Sequence, residues 1–486
     1  MAQMLALVLL LSASPLIEAV KQGDVQVVRA LIKSGADARQ PEGDGATALH
    51  WAAHRDSAEL VRLLLEAGAS TRAANDLGVT PLHLAAANGN TAIMKLLLDK
   101  RADANAAAAS GVTPLMEAAR SGSTDAVRLL LASGAQINAR ESARGQTALM
   151  WAVSRQHPDI VKVLIENHAD VHARTATRPL MAMLDRGPRR AVKTSAQDAR
   201  QVELGGSTAL MFAAQTGSVE SARLLLAAGA NANDAAGDGK SALSMAAFSG
   251  HTDVATLLLS AGADPNAAGA GYTALHAAAL RGDIALVKTL LEQGANPNAR
   301  QVKGSPVRRF GSQWALSSPF NGGTPLIVAA AYLETEVMRA LLAGGANVDA
   351  LLPNSMTALL IAAGAPIEKE ARPADLAKWN IVDSDSPEIP RPADDVAAAV
   401  RLLLDAGADV TRSTEAGDTA LHAAAASNQP AVIELLAGRG AQVNAKNRNG
   451  QTPLMLTLPR KSEGRGFGFP GYPEAEAALR KLGATQ

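Results

Sequence analysis

The chain of 486 residues contains no cysteine, which excludes disulfide bonds, cysteine-ligated zinc, a thiol nucleophile and the lipid-bearing cysteine of a bacterial lipoprotein. Aromatic residues make up only 3% of it, and Lys plus Arg equal Asp plus Glu at 46 each. No net charge therefore favours nucleic acid or an acidic membrane as a partner. At 48% hydrophobic residues, the chain can still bury a large core.

The start of the chain resembles a secretory signal. Met4–Leu11 is an unbroken apolar run of eight residues, too short to span a bilayer, and the small residues Ser12 and Ser14 follow it. No Lys or Arg precedes the run, and Pro15 would follow the cut. We expect residues 1–13 to be a leader and the protein to be periplasmic or secreted. The alternative is a short apolar helix that caps the first folded unit of a cytoplasmic protein.

One segment recurs along the chain. TPLHLAAANGN at 80–90 returns in altered form as TALHWAAHRDS at 47–57 and TALHAAALRGD at 273–283. Its first residue, Thr or once Ser, recurs at 47, 80, 113, 147, 208, 241, 273, 324, 357, 419 and 452. Seven of the ten spacings are 32 to 34 residues, and an earlier copy opens at Ser14. A fixed period of this length is typical of a repeat solenoid.

The three longer spacings predict insertions, and the remaining boundaries follow from the period. We expect a repeat array over residues 14–456, insertions at about 175–204, 300–320 and 364–395, and a Gly/Pro-rich connector with a C-terminal capping helix over 457–486.

Each repeat carries the same local signals. The Thr is typical of a helix N-cap, and Pro often follows it, as at Pro81. A second apolar helix then ends at a Gly suited to a left-handed C-cap, a position that Arg101 and His168 occupy in two repeats. Another Gly lies two residues before the next Thr in ten of eleven copies, with Ser355 as the exception.

These features together resemble the ankyrin repeat: a Thr-Pro-Leu-His start, a period near 33, and a Gly-Ala-Asp-x-Asn close. The resemblance runs from Ser14 to near the C-terminus and covers about twelve repeats. It implies an all-α repeat solenoid, in which each repeat has a helix pair and a β-hairpin finger and the repeats stack into a curved array. It also implies a structural, hydrogen-bonding role for the histidine of the Thr-x-Leu-His motif.

Other chemical signals are weak beside the repeat. Gly239-Lys240-Ser241 resembles the end of a phosphate-binding loop, but Gly239 and Ser241 occupy the turn and N-cap positions of a repeat. Gly466, Gly468 and Gly471 have dinucleotide-loop spacing without the strand that such a loop follows. No histidine pair has a third ligand at a suitable spacing. We therefore expect no catalytic residues, no cofactor and no metal.

The insertions are strongly charged. The first has a net charge of +3 and the second of +4, and both lie between the second helix of one repeat and the next Thr. The third contains eight acidic and four basic residues and separates the first helix of its repeat from the second. Long loops of this kind are often solvated, and some are functional.

The sequence favours a non-catalytic scaffold that binds another protein, with an acidic segment as the expected ligand, in a concave groove formed by finger tips and first-helix residues. Arginine and aromatic residues are enriched at protein interfaces. The candidate partner-binding residues are Arg55, Arg120, Arg144, Arg155, Gln215, Lys240, Phe248, Tyr272, Arg281 and Tyr332.

Two alternatives stay open. One is an enzyme, or an enzyme's accessory domain, that uses the long insertions. The other is binding of an anionic polymer by the basic finger insertions. We expect a monomer that neither binds nucleic acid nor spans a membrane.

Overall fold

The computed structural model describes residues 14–184, 199–302, 305–308, 314–317, 320–367, 391–459 and 470–485. Within these ranges, side chains are described except at 182–184, 199–200, 305–308 and 314–317. The chain divides into two units: unit 1 comprises Met1–Arg178 and Leu204–Gly237, and unit 2 comprises Pro179–Glu203 and Asp238–Gln486.

Unit 1 is built from pairs of short helices, each pair forming the first and second helix of one repeat. These helices are α1 Pro15–Gln22, α2 Val25–Lys33, α3 Ala48–His54, α4 Ala58–Glu66, α5 Pro81–Ala87, α6 Thr91–Asp99, α7 Pro114–Ser121, α8 Thr124–Ala132, α9 Ala148–Ser154, α10 Pro158–Glu166, α11 Ala209–Thr216 and α12 Val219–Ala227.

Unit 2 continues the same alternation. Its helices are α13 Ala242–Ser249, α14 Thr252–Ser260, α15 Ala274–Arg281, α16 Ile284–Glu292, α17 Pro325–Ala331, α18 Thr335–Ala343, α19 Ala358–Ala362, α20 Ala393–Asp405, α21 Ala420–Ala426, α22 Pro430–Gly438, α23 Pro453–Thr457 and α24 Pro473–Lys481. The four strands are β1 Arg178–Leu184, β2 Ala199–Leu204, β3 Ser305–Arg308 and β4 Trp314–Ser317. The mostly helical repeat solenoid expected from the sequence is confirmed.

Polar N-caps set where the helices begin. Thr113 is extended, and its hydroxyl accepts a hydrogen bond from the Met116 N–H at the start of α7. Second helices begin after a different cap, such as Asn90, whose side chain accepts from the Ile93 N–H at 3.0 Å. These bonds satisfy backbone donors that have no partner within the helix.

The core lies between helices of successive repeats. Within each unit, a first helix packs on its own second helix and on the first helix of the next repeat, and second helices pack on one another in the same way. Leu49, Leu82 and Leu115, one from each of three neighbouring first helices, are at most 1% exposed. Because these helices are only seven or eight residues long, their stability must come mainly from this packing.

The motif histidines connect one repeat to the next. His50 Nδ1 accepts the Thr47 N–H at 3.0 Å, which fixes the proton on Nε2, and Nε2 donates to the Val79 carbonyl at 2.9 Å. His83, His276 and His422 make the same contact with the residue that precedes the next Thr, at 3.0, 3.2 and 3.0 Å. The structural role implied by the family resemblance is confirmed.

Two kinds of glycine adopt left-handed backbone for different reasons. A Cβ placed on the second-helix glycines, such as Gly134 and Gly262, would meet nothing within 4 Å. Arg101 and His168 take the same conformation there, with φ of 63° and 66°, as expected from their positions. Most of the turn glycines leave no such space, with Gly450 as an exception. A Cβ on Gly417 would lie 3.0 Å from the backbone nitrogen of Arg448 in the next finger.

Each of the first two insertions leaves the array beside an arginine that bridges two fingers. Arg174 donates to the carbonyls of Gly206 and Ala235 at 2.9 and 2.8 Å and pairs with Asp234 at 2.6 Å. Arg300 donates to the carbonyls of Gly322 and Leu351, both at 2.7 Å. Each arginine thus connects the chain before its insertion to fingers that follow the insertion, and the stacking of repeats continues beyond the inserted residues.

The sequence did not predict that the first two insertions form a common sheet. The strand order is β2-β1-β4-β3, in which β1 of the first insertion runs parallel to β4 of the second, with Met183 opposite Ala315.

The β-hairpin fingers have less regular strand structure than expected. Outside the insertions, the described fingers are turns, with isolated bridges at Pro41–Thr47 and Ser413–Thr419.

The third insertion lies between α19 and α20, as the spacing predicts, and residues 368–390 lie outside the described ranges. Where the described chain resumes after this insertion, Arg391 donates to the Ile361 and Ala362 carbonyls of α19 at 2.9 and 2.6 Å. The Ile361 carbonyl also accepts the Gly364 N–H at 3.2 Å, just beyond the short helix α19. Burial lowers the pKa of Arg391. At the C-terminus, α24 packs on α22 and α23.

The turn glycines generate a prediction about contact between neighbouring fingers. Gly417→Ala and Gly450→Ala both place a Cβ on left-handed backbone, with φ of 82° and 74°. Only at Gly417 does the new Cβ collide with the next finger, because nothing lies within 4 Å of Gly450. We expect Gly450→Ala to cost about 1 kcal/mol of local stability and Gly417→Ala about 2 kcal/mol more. Hydrogen exchange in the two fingers measures both, and equal losses would contradict the collision.

Burial of the motif histidines predicts a dependence of stability on pH. Burial lowers the pKa of His276 from 6.5 to about 4, so below pH 6.5 the unfolded chain binds a proton that the folded chain refuses. Stability contributed by neutral His276 is therefore lost progressively as the pH falls from 6.5 to 4. His276→Gln should be less stable at pH 7, with the gap narrowing towards pH 4. Urea midpoints at several pH values measure this, and a constant gap would contradict it.

Candidate protein-binding surface

The candidate residues fall into two structural positions. Arg55, Arg155 and Tyr332 are the C-caps of first helices. Arg120, Gln215, Phe248 and Arg281 lie in the last turn of first helices. Arg144, Lys240 and Tyr272 belong to fingers.

In unit 1, the arginines differ in how much of their side chain is already engaged. Arg55 donates to the Lys21 carbonyl of the preceding repeat at 2.6 Å, and Arg120 pairs with Glu117 at 2.6 Å. Arg155 and Arg144 are exposed, and neither side chain has a hydrogen bond or ion pair within the described part of the chain. Among the candidate arginines of unit 1, these two guanidinium groups are therefore the most available to a partner. Gln215 is exposed as well.

Trp51 lies in a polar cluster in the first two repeats. Its indole Nε1 donates to Glu42 at 2.5 Å, and the ammonium of Lys21 lies 4.5 Å from the ring centroid. Lys21 also pairs with Glu42 at 2.6 Å. The edge of the ring meets His54 at 5.9 Å between centroids. The indole, ammonium and carboxylate thus satisfy one another.

Trp151 occupies the same register but lacks this arrangement. Its Nε1 is buried and has no hydrogen-bond partner among the described residues. The nearby finger contains Glu141, but its carboxylate accepts the N–H groups of Ala143, Arg144 and Gln146 at 2.7 to 2.9 Å. This finger has one residue more than the period of 33, with Thr147 following Thr113 by 34. The Glu141 carboxylate therefore accepts hydrogen bonds within its own turn and none from the Trp151 indole.

In unit 2, the candidate surface is aromatic. Phe248 is 50% exposed, and its ring lies 6.3 Å from that of Tyr272. Arg281 donates to the Phe248 carbonyl at 3.1 Å, in the same way that Arg55 contacts the preceding repeat. Tyr332 is half-buried, with its ring 6.2 Å from Phe320. An exposed ring that the core does not need is suited to contact with another molecule.

Two of the candidate finger residues are less exposed than Arg144. Tyr272 is only 7% exposed, and Lys240 is half-buried beside Asp238, 2.8 Å away. Both immediately precede the N-cap of a first helix, where the finger rejoins the packed helices. Tyr272 therefore offers little of its side chain to a partner, and Lys240 offers only part of its own.

Leu77 was missed by the sequence analysis. It lies three residues before Thr80, the register that Arg144 occupies in its own finger, and it is 66% exposed. A leucine between Asp76 and Gly78, within a polar turn, was the signal that could have identified it.

The Gly-Lys-Ser segment has the structural role expected of it. Gly239 has φ of 86°, and a Cβ there would overlap the Gly269 carbonyl of the next finger. Ser241 is the N-cap of α13 and accepts the Ser244 N–H at 3.1 Å. The chain therefore uses these residues to start a repeat.

Within the described ranges, no three side chains of the metal-ligating types come together as a metal site. None of the helices described is both long and apolar enough to cross a bilayer.

The contrast between the two tryptophans is testable. Trp51→Phe removes a hydrogen bond to a carboxylate and weakens the contact with Lys21, whereas Trp151→Phe removes an unpaired buried donor. A buried donor without a partner costs about 1–3 kcal/mol, which offsets the smaller volume of Phe. We expect Trp51→Phe to lose about 2 kcal/mol more than Trp151→Phe in urea unfolding. A larger loss at Trp151 would show that its indole nitrogen is paired in solution.

Comparison with known families agrees with this architecture. The family model described as three copies of the ankyrin repeat matches residues 16–108, 101–175, 180–269, 210–301 and 393–461, and the single ankyrin repeat model matches 321–351. Ankyrin repeats are in general protein–protein interaction modules and are typically not catalytic. With matches over most of its length, and with the helix pairs, capped Thr motifs and left-handed glycines described above, the chain belongs to the ankyrin repeat family.

Proposed function

We propose that the protein is a non-catalytic scaffold that binds an acidic segment of another protein through first-helix and finger-tip residues. The observation that carries this proposal is the availability of Arg155 and Arg144. Arg155 belongs to the repeat that begins at Thr147, and Arg144 lies in the finger just before it; both are exposed, and neither guanidinium is paired within the described chain. Arginine binds carboxylates through a planar fork of donors, which suits an acidic ligand.

Several of the other candidate arginines already have partners within the protein, so they support the binding proposal less strongly than Arg155 and Arg144 do. Arg55 and Arg281 each donate to a carbonyl of the preceding repeat, so both side chains already stabilise the contact between neighbouring repeats. Arg120 is held by Glu117, and a ligand carboxylate would have to compete with that ion pair. The unpaired Arg155 and Arg144 can reach a ligand without breaking any of these contacts.

In unit 2, the proposal rests on aromatic contact. Phe248 presents half of its surface to solvent, while Tyr272 supports its ring from the buried side. Tyr332 has a similar support in Phe320. Aromatic side chains held in place by neighbours lose little entropy on binding and often dominate interface energies.

Export of the protein is a separate proposal. It rests on the apolar run Met4–Leu11, which lies outside the described residues. A periplasmic or secreted location is favoured by that run, and the cytoplasm is the alternative.

The binding proposal is tested on the partner captured from the native extract by the full-length protein. Arg155→Ala, Arg281→Ala and Tyr332→Ala should each weaken the purified complex, and the largest loss should be about 2 kcal/mol or more. Arg128→Ala is the matched control, because Arg128 is an exposed arginine on the second helix α8, paired only with Asp125. Titration calorimetry measures the affinities.

Arg155 is the most informative of these positions, since its loss breaks no contact within the described chain. Thermal unfolding of Arg281→Ala separates lost binding from lost support of the Phe248 carbonyl. If all three variants bind normally while deletion of an insertion abolishes binding, the insertions carry the function instead. If Arg128→Ala lowers the affinity for the partner by the same amount, the losses reflect general electrostatic attraction and not a specific binding surface.

A further inference from the structure

A basic cavity lies at the C-terminal ends of the second helices α4 and α6, away from the surface proposed to bind protein. Its volume is about 370 Å³, and it is lined by Leu65, Ala69, Ser70, Thr71, Arg72, Lys100 and Arg101. That volume falls at the lower end of the range for small-molecule sites. The lining contains three cations and no carboxylate.

This cavity exists because several residues depart from the repeat at the same place. The third residue of the Gly-Ala-Asp-x-Asn close is Asp or Asn in most repeats but Ser70 here, so a carboxylate is missing. The fifth residue is Arg72, where many repeats have Asn. In the next repeat, Arg101 replaces the second-helix glycine, with Lys100 before it. Arg72, Lys100 and Arg101 each add a positive charge, and Ser70 is neutral where several repeats have Asp.

The usual asparagine shows what Arg72 replaces. Asn105 donates to the Gly134 carbonyl at 2.9 Å and accepts the Gln136 N–H at 2.6 Å, which ties its repeat to the next. Arg72 keeps only the first contact, since its Nε donates to the Arg101 carbonyl at 3.3 Å. An arginine cannot accept a hydrogen bond, so the second contact is lost.

The charged ends of the three cations are free for a ligand. The two terminal nitrogens of Arg72 and the side chains of Lys100 and Arg101 have no acceptor within the described chain. All three residues are exposed. Neither of the two acids next to these cations in sequence lines the cavity: Asp99 ends α6 beside Lys100, and Asp103 accepts the Asn105 N–H at 2.9 Å.

Arg101 also adopts an unfavourable, left-handed backbone conformation. Its φ is 63°, a conformation that glycine adopts at the same position in most repeats and that costs a residue with a Cβ extra free energy. Strain of this kind persists where the surroundings or a function require the side chain. Among the described residues, the Arg101 side chain gains no hydrogen-bond or ion-pair partner that would explain its retention.

We propose that this cavity binds a small phosphate-bearing anion through Arg72, Lys100 and Arg101. Arginine forks match phosphate oxygens, and the lysine adds a compact charge. The cavity is larger than one phosphate group requires, and Leu65 and Ala69 provide an apolar wall. A diphosphate or an organic phosphate therefore fits better than a monatomic anion. This site is independent of the proposed protein-binding surface.

The test is a calorimetric titration of the full-length protein with inorganic pyrophosphate. We expect one site, with an affinity that falls as sodium chloride is raised. Arg101→Gly should weaken binding about tenfold or more, while the urea midpoint of the array rises because left-handed strain is relieved. A gain in stability alongside a loss of binding separates this result from misfolding.

Two matched controls sharpen the test. His168→Gly relieves the same strain at φ of 66° in another repeat, and pyrophosphate binding should stay unchanged. Arg39 donates to the Gly68 carbonyl at 3.0 Å just as Arg72 does to that of Arg101, but no Lys–Arg pair adjoins it. Arg72→Ala should weaken binding and Arg39→Ala should not.

The proposal is overturned if millimolar pyrophosphate produces no heat of binding at low salt. It is equally overturned if Arg101→Gly and Arg72→Ala both bind like the wild type, or if each control weakens binding as much as its counterpart. In those cases, the three cations merely offset the negative ends of α4 and α6, as basic residues at helix C-termini commonly do.

Discussion

The hydrogen bond from a motif histidine to the next repeat is the constraint on which much of the array depends. His50, for example, accepts from the Thr47 N–H and donates to the Val79 carbonyl, so a single imidazole both starts a helix and joins two repeats. Both contacts require the neutral ring. Burial supports that state by lowering the pKa of His50 and His83, and of His276 to about 4. Local structure and stacking are thus stabilised by the same side chain.

Stacking also explains how the chain accepts long insertions. Arg174 and Arg300 each bridge the finger beyond the insertion to the following one, and Arg391 closes the third insertion onto α19. All three use guanidinium groups to satisfy backbone carbonyls, and Arg140 makes a similar contact with the Arg174 carbonyl from a finger without a long insertion. The contacts between repeats are preserved, and the extra residues lie outside them. The loop-closure cost of such insertions grows only slowly with their length.

The surface residues of this family member cannot be assigned to binding by residue type alone. Arg55 and Arg281 resemble Arg155 in sequence and position, but they donate to the preceding repeat, whereas Arg155 does not. In the same way, the Trp51 indole is satisfied by Glu42 and that of Trp151 is unpaired. An arginine or aromatic residue in a repeat array can support the stack, bind a ligand or do both, and only its contacts distinguish these roles.

The sequence by itself determined the period, the helix caps and the left-handed positions, because these depend on interactions within a few residues and on the absence of a Cβ in glycine. The left-handed backbone of Arg101 and His168 followed from their register alone. Only the tertiary structure decided that Tyr272 is buried, that β1 pairs with β4, and that Arg72, Lys100 and Arg101 share a cavity. Each of these depends on how far apart two segments lie after stacking, a distance that a repeat pattern does not specify.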